Sequence, residues 1–348
     1  RQLTWQGHPA ADTVSQLEIA RPVLLFLGNV GSELDAKTAL GIAQWRPEWC
    51  VGQWRLPGCQ VDVGLPELSP DAAVAAGAQS LIVGVAPSGG VLPEAWIDSL
   101  VLALESGLNL VSGLHVRLGS IAALGEAARR CDRRLIDVRE PPSDIPLANG
   151  RRRAGRRLLT VGTDCCVGKK YTALAIHRAL TGRGTAATFR ATGQTGIMIA
   201  GAGIPMDAVV ADFLAGAAEA LSPVNNRDHW DVIEGQGSLF HPAYAAVTLG
   251  LIHGSQPDAL VLCHQAGRTA IDEYPDYPIP PLSECLQRYL EAAVTTNPGV
   301  RATGLSINTG HLSDSDSSAY LQKISADTGL PAVDPLRTGV LPLLQRLR

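Results

Sequence analysis

The sequence predicts an α/β protein of two domains, each built around a parallel β-sheet. Three observations predict this class. Short apolar runs alternate with helix-like segments, 36 glycines and 23 prolines provide turns, and 46% of the 348 residues are hydrophobic while only 5% are aromatic. Strands that alternate with helices pair in parallel, because each helix carries the chain back across a face of the sheet. A chain of this length suits two cores better than one.

The first half of the chain contains five predicted strands. The run VLLFLG after Pro22 predicts a strand, and AKTALGIAQW has the apolar spacing of a helix with Asp35 as its N-cap. Further strands are predicted at CVGQW, QSLIVGVA, NLVSGL and RLIDV. Two turns at strand ends, Gly28-Asn29 and residues 86–90, are candidates for contacts with a substrate.

A domain boundary is predicted where this alternation stops. The segment between Arg139 and Arg157 is rich in proline and charge and has no apolar period. We therefore predict an N-terminal domain over residues 1–145 and a C-terminal domain over residues 146–348. A run of arginines at 151–157 is interpreted as a solvated face, with a site for an acidic ligand as the alternative.

The second half of the chain starts again with the strand LLTVG. A glycine-containing loop and the helix YTALAIHRALTGRG follow it, and later strands are predicted at TAATFRAT, WDVIEG, ALVLCH and ATGLSINTG. This order predicts a second parallel sheet.

Composition limits the function to small-molecule chemistry. The net charge of −4 provides no basic field for a nucleic acid or an anionic membrane. The seven cysteines are an odd number in a long chain and form no CxxC pair of metal spacing, which indicates a reducing cytoplasm and no structural zinc. The first sixteen residues lack the apolar core of a signal peptide, and no apolar run is long enough for a membrane span. A homo-oligomer is expected on base rates.

A phosphate-binding loop is predicted between the strand LLTVG and the next helix. Its glycines allow successive N–H groups and the helix N-terminus to face an anion, and Lys169 adds a positive charge. The residues predicted to bind the cofactor here are Gly162, Thr163, Asp164, Val167, Gly168, Lys169, Lys170, Tyr171 and Thr172.

The residue after Lys169 departs from the usual P-loop. A Ser or Thr hydroxyl normally ligates magnesium at this position, but the chain has Lys170. Thr172 lies two residues on, roughly 200° around a helix, so its hydroxyl should not take the missing place. Lys170 would supply the charge that magnesium normally brings, which favours phosphates that need no metal, such as those of coenzyme A.

Several polar residues follow other predicted strands of the second half. Glu234 ends WDVIEG and is interpreted as a general base or metal ligand, or as a carboxylate that accepts from turn amides. His264 ends ALVLCH and Arg268 follows it. They are interpreted as a proton carrier and a carboxylate-binding side chain, and structural roles remain open for both. The predicted catalytic residues are Glu234, His264 and Lys169.

The remaining candidates are contacts to the ligand. Gln194 and Thr195 follow the strand TAATFRAT and are expected at the same sheet edge as the loop, although a simple turn is an alternative. Asn308 is interpreted as a cofactor-binding amide or as an Asx turn. The predicted substrate-binding residues are Gln194, Thr195, Gln236, His241 and Arg268.

Four strings of the chain resemble the domain-of-unknown-function family sixteen-eleven: GTDCCVGKK, ATGQTGIMIAGAGIPMDAVVADFLAGAAE, DVIEGQGSLFHPAYAAVTLGLIHGSQPDALVLCHQAGR and LPAVDPLRTG. The resemblance covers about Pro22 to Gly339. It implies a Rossmann-like N-terminal domain and a P-loop NTPase-like C-terminal domain with a doubly wound parallel sheet, similar to that of dethiobiotin synthetase. It also implies an activity, N-acetylation of D-glutamate from acetyl-coenzyme A.

The leading hypothesis is therefore an amino-acid N-acyltransferase that acetylates D-glutamate or a similar amino acid. Lys169 and Lys170 would hold the phosphates of acetyl-coenzyme A, and Arg268 the substrate carboxylate. Glu234 or His264 would accept a proton from the attacking amine.

Two alternatives remain open at this point. One is an ATP- and magnesium-dependent kinase or ligase resembling dethiobiotin synthetase, with Glu234 and Asp164 as metal ligands. The other is a non-catalytic sensor of a nucleotide or coenzyme.

Overall fold

The computed structural model describes residues 17–85 and 92–347. Within these ranges the chain forms two compact units. The residues up to Glu140 together with Gln194–Pro205 form the first unit, and Pro141–Gly193 together with the residues from Met206 onward form the P-loop unit. The predicted boundary at 145/146 places Gln194–Pro205 in the C-terminal domain, whereas the structure groups these residues with the first unit. Residues 1–16, where no signal segment is predicted, and the turn at 86–90 lie outside the described residues.

The first unit contains a five-stranded parallel sheet in the order β2-β1-β3-β4-β5. The strands are β1 (Val23–Gly28), β2 (Cys50–Arg55), β3 (Ser80–Val83), β4 (Asn109–Ser112) and β5 (Leu135–Asp137). β1 is buried along its whole length, as expected for an inner strand covered on both faces. The strand order reverses between β1 and β3. Open α/β sheets bind ligands beyond the carboxyl ends of their strands near such a reversal.

Five helices belong to the first unit: α1 (Lys37–Trp45), α2 (Pro70–Ala75), α3 (Ile97–Glu105), α4 (Ala122–Cys131) and α6 (Gln194–Ala200). The predicted N-cap Asp35 is wrong, because α1 begins one residue later than expected, after Ala36. Asp35 instead accepts a hydrogen bond of 2.7 Å from the Ser32 hydroxyl.

The P-loop unit contains a six-stranded parallel sheet in the order β13-β12-β9-β6-β8-β7. The strands are β6 (Arg156–Gly162), β7 (Ala187–Arg190), β8 (Trp230–Ile233), β9 (Ala259–Gln265), β12 (Arg301–Asn308) and β13 (Ala332–Val333). The short strands β10 (Ala270–Ile271) and β11 (Tyr274–Pro278) form an antiparallel pair. Because all six main strands are parallel, their carboxyl ends meet at one edge.

The helices of the P-loop unit are α5 (Lys169–Thr181), α7 (Leu214–Leu221), α8 (Ala245–Ser255), α9 (Leu282–Val294), α10 (Asp314–Thr328) and α11 (Leu341–Gln345). Local signals account for the ends of α10. The Ser313 hydroxyl accepts from the N–H of Asp316, and Gly329 ends the helix in the left-handed conformation.

The arginine run at 151–157 is a solvated face only in part, because Arg151, Arg152 and Arg156 are exposed whereas Arg153 and Arg157 are not. Arg157 is fully buried, and its guanidinium donates to backbone carbonyls that include those of Ala154 and Pro223. Arg153 donates to the carbonyl of Gly254 at 2.7 Å. A buried guanidinium needs many acceptors, and both arginines find them in turns at the amino ends of the strands. They stabilise these turns, which lie at the opposite edge of the sheet from the loop between β6 and α5. The expectation for this segment is wrong at both positions.

The predicted fold class is confirmed. Both units are α/β with parallel sheets, and the nine strands predicted after VLLFLG correspond to β2–β9 and β12. Among the described residues, no helix combines the length and apolar character that crossing a bilayer requires.

Candidate phosphate-binding site

The loop between β6 and α5 has the predicted strand–loop–helix context. β6 ends at Gly162 and α5 begins at Lys169, preceded by Gly168 with a φ of +101°. This left-handed conformation is accessible to glycine at little cost. It starts a helix of thirteen residues, whose N-terminal N–H groups carry a partial positive charge. Val167 is buried, so its side chain belongs to the core and only its backbone borders the loop.

Lys169 lies folded over the loop. Its side chain is only 7% exposed, and its Nζ donates to the carbonyl oxygen of Asp164 at 2.6 Å. A Cβ built at Gly162 would lie 2.9 Å from this Nζ, so glycine leaves room for the ammonium. The charge is therefore held at the loop, where an anion would meet it.

Lys170 is partly buried rather than extended into solvent. Its Nζ lies 4.9 Å from the centre of the Tyr171 ring, within the range of a cation–π contact. Its charge also acts to lower the pKa of Glu234. Lys170 thus adds a second positive charge on the side of the loop that faces Glu234.

Thr172 does not face the loop. Its side chain is fully buried, and its hydroxyl donates to the carbonyl of Gly168 at 3.0 Å and lies 2.7 Å from the Ser306 hydroxyl of β12. The inclusion of Thr172 in the cofactor-binding set is corrected, because its oxygen is engaged between the helix and the sheet. The expectation that it does not replace the missing magnesium ligand agrees with these contacts.

Arg268 forms a buried ion pair with the loop. Its Nη1 lies 2.7 Å from Oδ2 of Asp164, whose carboxylate has no exposure, and its Nη2 donates to Gln265 at 2.6 Å. Asp164 also accepts from the N–H groups of Cys165 and Asp272. Both terminal nitrogens thus already have acceptors within the protein, and the role of Arg268 as a bidentate partner of a substrate carboxylate stays a prediction.

Glu234 follows β8 and is 3% exposed. Its Oε2 accepts from the N–H groups of Thr192 and Gly193 at 3.0 and 3.1 Å. Burial raises the pKa of Glu234 above its ordinary value, and these two N–H groups and the charges of the loop lysines oppose that shift. The next residue is Gly235, where any Cβ would overlap the carbonyl of Thr160. The carboxylate thus lies against the loop and fixes the turn after β7.

His264 is neutral at physiological pH. Its Nδ1 lies 2.9 Å from the Thr163 hydroxyl, and burial, together with the nearby Arg268, lowers the pKa of His264 to about 4. Such a weak base is poorly suited to removing a proton from an ammonium group. The low pKa of His264 argues against its role as general base, which stays a prediction.

The low pKa of His264 makes a testable contribution to stability. In the folded state the His264 ring stays unprotonated between pH 7 and 5. In the unfolded chain, where the pKa of His264 is near 6.5, the ring gains a proton over the same range. Stability that is present above pH 6.5 is therefore lost as the pH falls toward 4. We expect the free energy of unfolding to fall by about 2 kcal/mol more in wild type than in His264→Asn between pH 7 and 5.

Urea denaturation at both pH values measures this difference. His311→Asn, at an exposed position, is the control and should retain the wild-type pH dependence. A His264→Asn variant with the full wild-type dependence would contradict the assignment.

His241 offers a hydrogen-bond donor to the loop. Its Nδ1 accepts from the N–H of Ala243 at 3.1 Å, so the neutral ring carries its proton on Nε2. Burial lowers the pKa of His241, which favours this neutral form. Nδ1 and Nε2 are thus an acceptor and a donor, and His241 remains a candidate for binding an anion.

Asp164, Cys165 and His241 bring a carboxylate oxygen, a sulfur and a ring nitrogen within 4.8 Å of one another. This donor set fits a cation poorly. Both oxygens of Asp164 accept hydrogen bonds, and ligation by Nε2 of His241 would require a proton on Nδ1, where Ala243 already donates.

Two further candidates lie at the same edge. Asn308 is exposed and its Oδ1 accepts from the N–H of Gly310 at 3.0 Å, which is the Asx turn considered for it. Gln236 donates to the Thr192 hydroxyl at 3.2 Å. Their contacts to a ligand stay predictions.

Gln194 and Thr195 begin α6, which belongs to the first unit, and the hydroxyls of Thr195 and Thr38 lie 2.9 Å apart. Their contacts to a ligand stay predictions.

A family model described as "Domain of unknown function (DUF1611_C) P-loop domain" matches residues 146–344, and one described as "Domain of unknown function (DUF1611_N) Rossmann-like domain" matches residues 54–141. The chain belongs to the DUF1611 family. The resemblance found in the sequence is thus confirmed.

Relatives of this DUF1611 chain carry a common name. A protein of Tritonibacter scottomollicae, named D-glutamate N-acetyltransferase, is 50% identical over 329 residues, which are 94% of this chain and 99% of the relative. A protein of Pseudoalteromonas sp with the same name is 44% identical over 331 residues, 95% and 100% of the two chains. The crystal structure of a DUF1611 family protein from Anabaena variabilis ATCC 29413 has a TM-score of 0.85 at 36% identity, covering 94% of this chain and 99% of that one.

Tyr289 is a residue of the DUF1611 site that sequence reasoning missed. It lies fully buried on α9, donates to the carbonyl of Gly162 at 2.6 Å and accepts from the N–H of Leu239 at 3.1 Å. It therefore joins the start of the P-loop to the segment that carries His241. A single tyrosine in an amphipathic helix gives no sequence signal for such a role.

Proposed function

We propose that this chain is a D-glutamate N-acetyltransferase that binds acetyl-coenzyme A through the P-loop. The observation that carries the proposal is the similarity, over nearly the full length of each chain, to two proteins with that name. The geometry of the loop supports the choice of coenzyme A.

The loop residues fit a phosphate that needs no metal. Lys169 and Lys170 provide two positive charges at the N-terminus of α5, and His241 offers a neutral donor. The hydroxyl of Thr172 is engaged elsewhere, and the position after Lys169 carries no hydroxyl. This arrangement favours coenzyme A over a magnesium–nucleotide complex.

The length of coenzyme A separates the phosphate site from the reacting atoms. Its pantetheine arm is comparable to four or five extended residues, roughly 15 Å. Glu234 lies beside the loop lysines, so with phosphates bound there it would not reach the acetyl carbonyl. We therefore assign Lys169 to phosphate binding, and Glu234 to holding the turn after β7 beside the loop lysines rather than to proton transfer.

The reaction forms an amide and breaks a thioester. The lone pair of the deprotonated amine attacks the acetyl carbon, the bond from that carbon to sulfur breaks, and the thiol leaves with the proton that the amine gives up. The enzyme's part at the P-loop is to hold the phosphates and so orient the arm.

Release of free thiol from acetyl-coenzyme A tests the proposal. We expect D-glutamate-dependent release that a metal chelator leaves unchanged, with N-acetylglutamate identified by mass spectrometry. Omission of D-glutamate is the control. No thiol release with D-glutamate would overturn the proposal, and magnesium-dependent hydrolysis of ATP would favour the kinase or ligase alternative.

The same proposal includes the cytoplasm as the location and a homo-oligomer as the assembly. The seven cysteines, all free thiols, support the cytoplasm, and the base rate among enzymes supports the homo-oligomer. Size-exclusion chromatography with light scattering measures the oligomeric state.

A further inference from the structure

His241 and three tyrosines of the P-loop unit form an aromatic cluster. The ring centre of His241 lies 4.5 Å from that of Tyr244 and 5.1 Å from that of Tyr274. Tyr277 extends the cluster, with its ring centre 6.2 Å from that of Tyr274. His241 is buried, whereas Tyr244 and Tyr277 are 54% and 48% exposed. An apolar side chain exposed by itself needs no explanation, but two aromatic rings exposed on one cluster mark a binding surface.

The aromatic cluster lies directly beside the phosphate loop. A ring nitrogen of His241 is within 4.8 Å of a carboxylate oxygen of Asp164 and of the sulfur of Cys165. Burial is the main cause of the lowered pKa of His241, and the positive charge of Lys169 acts in the same direction. The N–H of Asp272 donates to Oδ2 of Asp164 at 2.9 Å, which holds the hairpin of β10 and β11 against the loop. A ligand with phosphates at Lys169 therefore has its neighbouring groups within reach of the cluster.

The charges around the aromatic cluster decide what kind of group fits it. The hairpin carries three exposed acidic side chains, those of Asp272, Glu273 and Asp276. They repel phosphates and also a dicarboxylate such as glutamate, so an uncharged group is favoured there. A nucleobase is uncharged and has two flat faces that stack on aromatic side chains. Adenine adds an amino group, whose N–H groups match carboxylate acceptors.

We propose that the aromatic cluster binds the adenine ring of the coenzyme, which stacks at Tyr244 and Tyr277 while the phosphates lie at Lys169. The inference rests on the proposed function and names the base-binding part of the same site. Adenine is common to coenzyme A and ATP and is joined to the phosphates through one ribose in both. The chemistry recognised at the cluster is therefore the base, whichever of the two supplies it.

The double variant Tyr244→Leu with Tyr277→Leu removes the exposed rings, and the corresponding double Phe variant keeps them. The probe is adenosine 3′,5′-bisphosphate, which carries the base and phosphates of coenzyme A without the pantetheine arm. By isothermal titration to the full chain, we expect affinity to fall about five- to a hundredfold in the Leu variant and to stay near wild type in the Phe variant. Because both side chains are about half exposed, the melting temperature should change little in either variant.

Inorganic pyrophosphate is the matched ligand control, because it has phosphates and no base. Its affinity should be the same in wild type and in both variants. An equal loss for pyrophosphate and the bisphosphate would mean that the substitutions disturb the loop, and this would overturn the inference. So would a wild type that does not bind the bisphosphate, or a Leu variant that binds it as wild type does.

Two other occupants of the aromatic cluster have their own signatures. If the pantetheine arm packs there, the Leu variant loses affinity for acetyl-coenzyme A but not for the bisphosphate. If a second copy of the chain covers the cluster, light scattering shows an oligomer that dissociates in the Leu variant. Either result would overturn the assignment to adenine.

The titrations also separate this inference from the proposed function. Ring-dependent binding of the bisphosphate without thiol release on addition of D-glutamate would support the adenine site and overturn the proposed activity. Titration with ATP and magnesium would then test whether a nucleotide supplies the base. Thiol release by wild type, combined with unchanged bisphosphate affinity in the Leu variant, would overturn the adenine site alone.

Discussion

Replacing Arg268 with alanine is expected to lower the free energy of unfolding by about 3–5 kcal/mol, because it breaks a buried ion pair. The carboxylate of Asp164 has no exposure, and its counter-ion is the guanidinium 2.7 Å away. Without that charge, Asp164 would keep only the N–H groups of Cys165 and Asp272 as partners. Urea denaturation followed by circular dichroism measures the loss.

Arg130→Ala is the matched control for a surface pair. Arg130 and its partner Glu105 have side chains 58% and 46% exposed, so the same change there should cost less than about 1 kcal/mol. The experiment also separates two roles for Arg268. Wild-type stability combined with a raised KM for D-glutamate would contradict the ion-pair role and restore the carboxylate-binding role first expected from the sequence.

The phosphate loop was predictable because its signal is local. A strand, glycines at the positions where the backbone must turn, and a lysine at the helix start are contiguous in the chain, from Arg156–Gly162 to Lys169. The alternation of strands and helices was predictable for the same reason, since buried parallel strands are almost continuously apolar.

The partners of the site residues were not predictable, because they are distant in sequence. Asp164 and Arg268 are 104 residues apart, and Tyr289 and Gly162 are 127 apart. The unit to which Gln194 belongs depends on packing between α6 and α1, which no nearby residue encodes. Residue type identified candidates for chemistry, whereas long-range contacts decided whether each candidate is engaged within the protein or available to a ligand.

The choice between coenzyme A and a magnesium–nucleotide depends on Lys170. If its charge replaces the metal, Lys170→Ala should weaken acetyl-coenzyme A binding about ten- to a hundredfold, which corresponds to the 1.5–3 kcal/mol of a charge-assisted hydrogen bond. Lys170→Thr restores the usual hydroxyl after Lys169. It should make any ATP binding more dependent on magnesium while acetyl-coenzyme A binding stays impaired.

Isothermal titration of both Lys170 variants with each ligand, with and without a chelator, measures these effects. Lys323→Ala is the control, because Lys323 lies on α10 with a side chain 70% exposed and pairs only with Asp327 among the described residues. Unchanged affinity in Lys170→Ala would mean that the phosphates do not need the second lysine. The loop would then give no reason to prefer coenzyme A, since helix N–H groups and one lysine serve a nucleotide equally well.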